Sequence, residues 1–348
     1  MIKASFKKYI LDFKQPGATS RGILHHKTTY FLYLTEGENI GIGECGLFRG
    51  LSIDDVPDYK EKLQWTCDNI NLGKDTLLKA LMAYPSIQFG IEQAFLSLKS
   101  SDEFILYPSQ FTEGKEGIAI NGLIWMGSKD FMSKQIKEKI TAGFKTIKLK
   151  IGAIDFETEL ALLKAIRKDF SAVDIELRVD ANGAFSPQEA LEKLKRLSDF
   201  DLHSIEQPIK AKQWEAMSQL CEQTPLPIAL DEELIGVFLF EEKEKLINTI
   251  KPQYIILKPG LIGGFCGSTE WIQIAKSSNV DWWITSALES NIGLNAIAQF
   301  TYTLQNKMPQ GLGTGGLFVN NFASPLEIKE GYLYYNTRKT WKKPDFTF

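Results

Sequence analysis

The 348-residue chain has few of the side chains that most often bind transition metals, with only three histidines and four cysteines. Three histidines are too few for a metal site built on imidazole ligands. The cysteines are widely spaced and form no CxxC pair, which argues against a zinc cluster and a disulfide framework: Cys45, Cys67, Cys221 and Cys266. We therefore expect reduced, mostly buried thiols in a cytosolic protein.

Long apolar segments and a strong excess of one charge are also absent. No stretch approaches the roughly 18 uncharged apolar residues of a membrane-spanning helix, and residues 1–8 lack the apolar core of a signal peptide. The formal net charge of −3 gives no electrostatic reason to bind nucleic acid or an anionic membrane. We expect a cytoplasmic protein with no nucleic-acid partner and no membrane span.

Two lysines lie close together in a short apolar run, Thr146-Ile-Lys-Leu-Lys150. Residues i and i+2 of a strand face the same side, so Lys148 and Lys150 point together into whatever that side encloses. A buried pair of ammonium groups is costly unless anions neutralise it or a pKa falls. The pattern predicts that the rest of the chain supplies anions to this place.

Charged residues do recur at the ends of the strand-like runs that follow. They come in steps of 30, 26, 25 and 27 residues, from 150 to 180, 206, 231 and 258, and each step fits one strand and one helix: Asp180, Glu206, Asp231 with Glu232, and Lys258. Residues at the carboxyl ends of barrel strands converge on one site. The spacing therefore predicts a closed β/α barrel with a charged centre.

Ahead of the barrel pattern, residues 1–45 alternate like antiparallel strands around a hairpin turn at Glu36–Asn39, with a polar loop at Gln15–Gly22. Residues 54–67, 74–82 and 86–100 have helical periodicity, and 101–117 form an irregular boundary. The predicted fold is a modified (β/α)7β TIM-type barrel over 113–318. An α+β capping domain over 1–112, joined by 319–348, completes it.

Alternating strands and helices fill the barrel range. The predicted strands include 118–123, 146–150, 280–285 and a short eighth strand at 310–314, and the tail adds a strand at 332–335. The predicted helices are 129–142, 155–168, 186–199, 213–222, 241–250, 267–278 and 292–305. One of them opens with Ser186-Pro-Gln-Glu189, which has the residues of a capping box.

The charged centre has a clear chemical use. Three carboxylates from adjacent strands make an oxygen-rich site that suits Mg²⁺. A metal-bound substrate carboxylate has an acidified α-proton, because the cation stabilises the developing charge. A lysine placed near the metal and another lysine is disfavoured as a cation, so that it can act as a base.

The motifs Lys148-x-Lys150, Asp180-Ala-Asn182, Glu206-Gln-Pro208, Asp231-Glu232 and Lys258-Pro resemble the muconate-lactonizing branch of the enolase superfamily over nearly the whole chain. The resemblance implies that Asp180, Glu206 and Asp231 bind Mg²⁺, with Mn²⁺ as a substitute. It implies that Lys150 abstracts a proton and that Lys258 is the opposite lysine. It also implies that Lys148, Asn182 and Glu232 support the site.

Three further segments resemble the o-succinylbenzoate synthase family within that branch: Arg21–Leu24, Thr285–Ser290 and Gln310–Thr314. This resemblance implies syn dehydration of 2-succinyl-6-hydroxy-2,4-cyclohexadiene-1-carboxylate to 2-succinylbenzoate in menaquinone biosynthesis, through a metal-stabilised enediolate. Arg21, Ser286 and Ser290 are the candidate substrate residues of these segments.

Alternative functions remain open at this point. Two opposed lysines also suit an N-acylamino acid racemase or a dipeptide epimerase, although Pro309–Gly316 lacks an acid for a dipeptide ammonium group. A non-catalytic anion-binding barrel would be expected to have lost a lysine or a ligand, and none is lost. Gly311–Gly316 fits GxGxxG but opens no βαβ unit, which argues against a dinucleotide. The exact substrate and the oligomeric state stay open.

Overall fold

The structure, a computed structural model, describes residues 1–19, 22–125 and 127–342. It begins with a three-stranded antiparallel sheet: β1 (Lys3–Thr19), β2 (Gly22–Glu36) and β3 (Asn39–Cys45). The predicted hairpin between β2 and β3 is present. The prediction of a loop at Gln15–Gly22 is wrong, because β1 and β2 stay paired to Thr19 and Gly22 after a register shift between Asp12 and Gly17. We call residues 13–19 and 22–24 the β-arm.

Three helices follow: α1 (Tyr59–Asp68), α2 (Lys74–Ala80) and α3 (Pro85–Lys99). Helices α1 and α3 pack on this sheet, and α2 packs on α3. Helix α1 begins later than predicted because Pro57 has no N–H to donate and disfavours helix at the residue before it. Helix α3 lies so close to β3 that a Cβ at Gly43 would be 1.9 Å from the carbonyl oxygen of Gly90. The sheet and helices therefore form one packed layer pair ahead of the barrel.

The barrel follows as a parallel sheet with the strand order β11-β10-β9-β8-β7-β6-β5. Its strands, after a short β4 (Ile118–Ala119), are β5 (Gly122–Ile124), β6 (Thr146–Lys150), β7 (Glu176–Asp180), β8 (Ser204–Glu206), β9 (Ile228–Leu230), β10 (Tyr254–Leu257) and β11 (Asp281–Ile284). Gln310 and Gly311 join the two edges through bridges to Ile120 and Thr285. These bridges stand where the short eighth strand was predicted, and the barrel fold is confirmed.

Helices alternate with the barrel strands: α4 (Lys129–Thr141), α5 (Phe156–Asp169), α6 (Pro187–Ser198), α7 (Trp214–Gln223), α8 (Phe240–Ile250), α9 (Gly264–Ser277) and α10 (Asn291–Thr303). The predicted capping box at Ser186 and Glu189 is present at the start of α6. Apolar residues from strands and helices merge into one continuous core. This packing fixes the carboxyl ends of the strands around a common centre.

The tail adds β12 (Leu326–Lys329) and β13 (Tyr332–Tyr335), and β13 pairs with β4. The predicted first barrel strand at 118–123 is therefore split, since Ile118 and Ala119 pair with the tail and only β5 joins β6. Phe318 bridges to Phe13, so the tail also contacts the first sheet. Within the described ranges, no helix is both long and apolar enough to span a membrane. The four cysteines are free, and all except Cys266 are buried.

Candidate active site

Parallel pairing places the charged residues of three strands in one row. Lys150 of β6 pairs with Asp180 of β7, which pairs with Glu206 of β8. Asp231 and Lys258 directly follow β9 and β10. Because strand ends in a barrel share one mouth, the register alone brings these side chains together.

The side chains of this row form buried ion pairs. The Lys148 ammonium lies 2.9 Å from Asp180 Oδ2 and also donates to Glu206 Oε2. Lys150 Nζ lies 3.0 Å from the same Asp180 oxygen, and Lys258 Nζ donates to Asp231 Oδ2. The structure therefore brings together the three carboxylates and three lysines that the sequence singled out.

The pKa values of these groups follow from burial and from their partners. Burial alone would lower the pKa of the Lys148 ammonium, but the neighbouring carboxylates outweigh it and raise that pKa above its ordinary value. Burial would likewise lower the pKa of the Lys258 ammonium, but Asp231 outweighs burial and raises it. The neighbouring lysines hold the pKa of Asp180 well below its usual range despite its burial. For Glu206, burial and the other carboxylates prevail over Lys148 and raise the pKa to about 7.

The carboxylate set also offers an oxygen that no protein group uses. Glu206 is fully buried, and its Oε1 has no hydrogen-bond partner among the described residues. Such an orphaned anionic oxygen is costly unless a cation or water meets it. In the described part of the chain, no three His, Cys, Asp or Glu side chains already surround a metal position. The residues fit Mg²⁺ by chemistry and burial, but the ion would have to compete with lysine ammonium groups for the same oxygens.

Asn182 connects the base candidate to the next strand end. It sits in the left-handed region with φ 45°, which asparagine tolerates better than most residues. Its backbone N–H donates to Asp180 Oδ1 at 3.0 Å, and its side-chain Oδ1 accepts from Lys150 Nζ. Its Nδ2 donates to Glu232 Oε1 at 3.0 Å. This turn therefore holds Lys150 and Glu232 at fixed positions.

A cleft that is partly open to solvent lies above the charged row. Lys148, Lys150 and Lys258 line it together with Asp180 and Asn182. The first sheet-and-helix layer contributes Phe48 and Leu51, and the barrel adds Trp125 and the segment 285–288. The sequence motifs did not single out Phe48, Leu51 or Trp125, because no local pattern distinguishes a cleft-lining apolar residue from a core residue.

The three substrate candidates outside the charged row have different positions. Ser286 lines the cleft, but its hydroxyl donates to Glu289 Oε2 at 2.6 Å and accepts from Thr314 Oγ1 at 2.8 Å. Ser290 is fully buried, caps α10, and donates its hydroxyl to Glu44 Oε2. Arg21 lies outside the described residues.

Two buried glutamates that sequence reasoning missed join the first layer to the barrel. Glu44 of β3 accepts the Ser290 hydrogen bonds and that of the Gly293 N–H at 2.9 Å. Glu92 of α3 accepts from the N–H groups of Phe265 and Cys266 at the start of α9. Burial raises the pKa of the Glu92 carboxyl to about 7 despite these bonds. Both contacts hold the layer above the loops that follow β10 and β11.

Comparison with known proteins places this geometry in a family. A model described as enolase C-terminal domain-like matches residues 132–339. An o-succinylbenzoate synthase of Desulfotalea psychrophila is 44% identical over 363 aligned positions, which cover 95% of this chain and 98% of that protein. The crystal structure of MenC from Desulfotalea psychrophila superimposes with a TM-score of 0.86 at 41% identity, covering 96% of this chain and 99% of that one.

A more distant neighbour shares the fold. The crystal structure of a dipeptide epimerase from Enterococcus faecalis, complexed with Mg and the dipeptide L-Leu-L-Tyr, has a TM-score of 0.82 at 20% identity and covers 96% of each chain. Identity at this level supports the architecture alone.

Proposed function

Because the chain belongs to the enolase C-terminal domain-like family, we propose that it is an o-succinylbenzoate synthase, a lyase that removes water from 2-succinyl-6-hydroxy-2,4-cyclohexadiene-1-carboxylate to give 2-succinylbenzoate. The observation that carries this conclusion is the 44% identity to an o-succinylbenzoate synthase over 95% of this chain and 98% of that protein. The site is consistent with it, because a carboxylate substrate would meet three lysines at the cleft floor. We propose that the enzyme acts in menaquinone biosynthesis in the cytoplasm.

Asp180, Glu206 and Asp231 would hold the metal ion in this reaction. Mg²⁺, or Mn²⁺ in its place, would stabilise the negative charge that develops on the substrate carboxylate. The orphaned Oε1 of Glu206 supports this assignment, since it leaves an anionic oxygen for a cation. Lys148 supports two of these carboxylates, Asp180 and Glu206, by balancing their charge.

Lys150 would be the base. A neutral amine keeps two N–H groups, which match the two acceptors already present, Asp180 Oδ2 and Asn182 Oδ1. Its lone pair is then free to take the proton from the carbon next to the substrate carboxylate. The C–O bond to the neighbouring hydroxyl breaks, and the proton on Lys150 leaves with that hydroxide as water. The ring becomes aromatic, and the base returns to its neutral form.

The other residues would bind and orient the substrate. Lys258 remains a cation on the other side of the cleft from Lys150, next to the developing charge. Arg21 would contact a substrate carboxylate. Ser286 shapes the cleft wall, and Ser290 supports it through Glu44. We further propose that 1–112 with 319–348 act as the capping domain and 113–318 as the catalytic barrel.

Racemisation of N-acylamino acids is a second candidate activity. One observation favours it: Lys150 and Lys258 both line the cleft, so that each could exchange a proton with one face of a substrate. Dipeptides fit less well, because Pro309–Gly316 provides no acid for their ammonium group.

A substrate panel tests the proposal. The purified chain is given the cyclohexadiene carboxylate, N-succinylamino acids and dipeptides, each with Mg²⁺ and with EDTA, and Lys150→Met is the matched control. We expect dehydration in Mg²⁺, none in EDTA, and none with the variant. Turnover of dipeptides without any dehydration would contradict the proposed function.

A further inference from the structure

A second cleft lies beside the catalytic cleft, between the β-arm and helix α4. Residues 13–17 of the β-arm form one wall, and Phe131 and Gln135 of α4 belong to the other. Three residues line both clefts and so form the boundary between them: Leu123, Trp125 and Gly313. The two spaces are thus neighbours with a thin common wall.

Trp125 is the largest of the three boundary residues, and it is held in place from both sides. Its backbone N–H donates to Gln135 Oε1 at 3.0 Å, and Gln135 Nε2 donates to the Trp125 carbonyl at 3.0 Å. The β-arm packs on its ring at Gly17, where a Cβ would lie 3.2 Å from the indole. The two backbone hydrogen bonds and the packing on the ring therefore restrict the movement of the Trp125 side chain.

Gly313 adds no side chain of its own to the boundary. A Cβ built at this glycine would lie 3.7 Å from the Ile120 side chain and 4.0 Å from that of Ile328, which is ordinary van der Waals contact. The indole of Trp125 is therefore the bulkiest group that separates the two clefts, with Leu123 beside it.

We propose that Trp125 is a specificity-determining residue that ends the catalytic cleft on the side of the β-arm. It excludes carboxylates with a substituent long enough to reach the second cleft. That cleft would accept an apolar substituent against Phe13, Phe131 and Leu317, which line it together with polar side chains. The inference rests on the proposed function, since it takes Lys150 as the group that exchanges the α-proton.

The test uses exchange of the α-proton of N-acylamino acids in D₂O, followed by NMR. N-succinylalanine is the small substrate. Two long substrates carry a phenyl group, one on the amino-acid side chain (N-succinylhomophenylalanine) and one on the acyl chain (N-(4-phenylbutanoyl)alanine). Trp125→Ala should raise the kcat/KM ratio of at least one long substrate to the small one by about tenfold or more. Trp125→Phe should give a smaller increase.

Phe131→Ala is the matched control, because Phe131 lines only the second cleft. It should leave the ratio unchanged, because Trp125 still separates the two clefts in this variant. Circular dichroism and thermal unfolding establish whether each variant is folded. If Trp125→Ala does not fold, the substrate ratio of Trp125→Phe tests the inference.

Suppose that the wild type exchanges the small substrate and that the Trp125 variants leave the ratio unchanged for both long substrates. This result would overturn the inference about Trp125 but not the proposed function. An equal increase in Phe131→Ala would also overturn it. A wild type that neither exchanges nor dehydrates any carboxylate would instead refute the proposed function, and this inference with it.

Discussion

Replacing Lys148 by methionine tests the charge balance of the site without relying on turnover. The ammonium group is buried and lies 2.9 Å from Asp180 Oδ2, and it also donates to Glu206 Oε2. After Lys148→Met, Asp180 keeps Lys150 at 3.0 Å and the Asn182 N–H at 3.0 Å. Glu206 loses the one side-chain donor that it has among the described residues, since its Oε1 already has no partner there. The cost therefore falls on Glu206.

The expected magnitude follows from the loss of one partner of a buried ion pair. Such a loss destabilises a protein by about 3–5 kcal/mol. Protonation of Glu206 limits it, because the pKa of that carboxyl is already raised to about 7 by burial and neighbouring acids. In the metal-free protein we expect the apparent Tm to fall on the order of 5 °C. Lys148 itself stays charged at neutral pH, because the neighbouring carboxylates raise the pKa of its ammonium.

Magnesium should reverse much of this loss. A divalent cation that binds the folded chain stabilises it by about 2.7 kcal/mol at a hundredfold excess over its Kd. Scanning calorimetry of Lys148→Met with EDTA and with Mg²⁺ measures the difference, and the exposed Lys145→Met is the control. If Mg²⁺ rescues the variant no better than it stabilises the wild type, the reasoning that Glu206 and its neighbours bind the ion is refuted.

Three further predictions concern the metal, the contact between the two layers and Arg21. Asp231→Asn removes one proposed anionic ligand and should lower Mg²⁺ affinity, measured by calorimetric titration, while the chain stays folded; unchanged affinity would argue against Asp231 as a ligand. Burial raises the pKa of Glu92 from 4.5 to about 7, so the folded state holds its proton more tightly and loses stability as pH rises through that window. Glu92→Gln should therefore flatten the fall in apparent Tm between those pH values, and an unaltered pH profile would contradict this. Arg21→Ala should raise KM more than it lowers kcat, as loss of uniform binding does, and an unchanged KM would remove Arg21 from the site.

The barrel and its charged centre could be predicted because their signal is local and repeated. Each strand places its charged residue at its own carboxyl end, and parallel pairing then aligns Lys150, Asp180 and Glu206. The β-arm could not be predicted, because residues 17–19 of this turn-forming segment pair with residues 22–24 only after a register shift. The composition of Gln15–Gly22 indicates a loop, whereas pairing between β1 and β2 makes its described residues part of two strands.

The contacts between the two layers were also beyond sequence reasoning. Glu92 meets Phe265 and Cys266 across more than 170 residues, and no spacing rule connects them. Ser290 was singled out by its motif as a substrate residue, but its hydroxyl is used by Glu44. The same motif contains Glu289, the buried acceptor of Ser286, which a search for buried acids beside strand ends would have found.

The central claim is that one lysine, Lys150, is the base, while Lys258 serves as a cation. Lys258→Arg keeps the positive charge but cannot deprotonate, so dehydration should remain measurable and racemisation should be lost. In D₂O, this variant should exchange the α-proton of only one enantiomer of an N-succinylamino acid, the one that faces Lys150. Lys150→Ala should lose about 10²–10⁴-fold in dehydration rate. Exchange of both enantiomers by Lys258→Arg would contradict the assignment of Lys150 and Lys258.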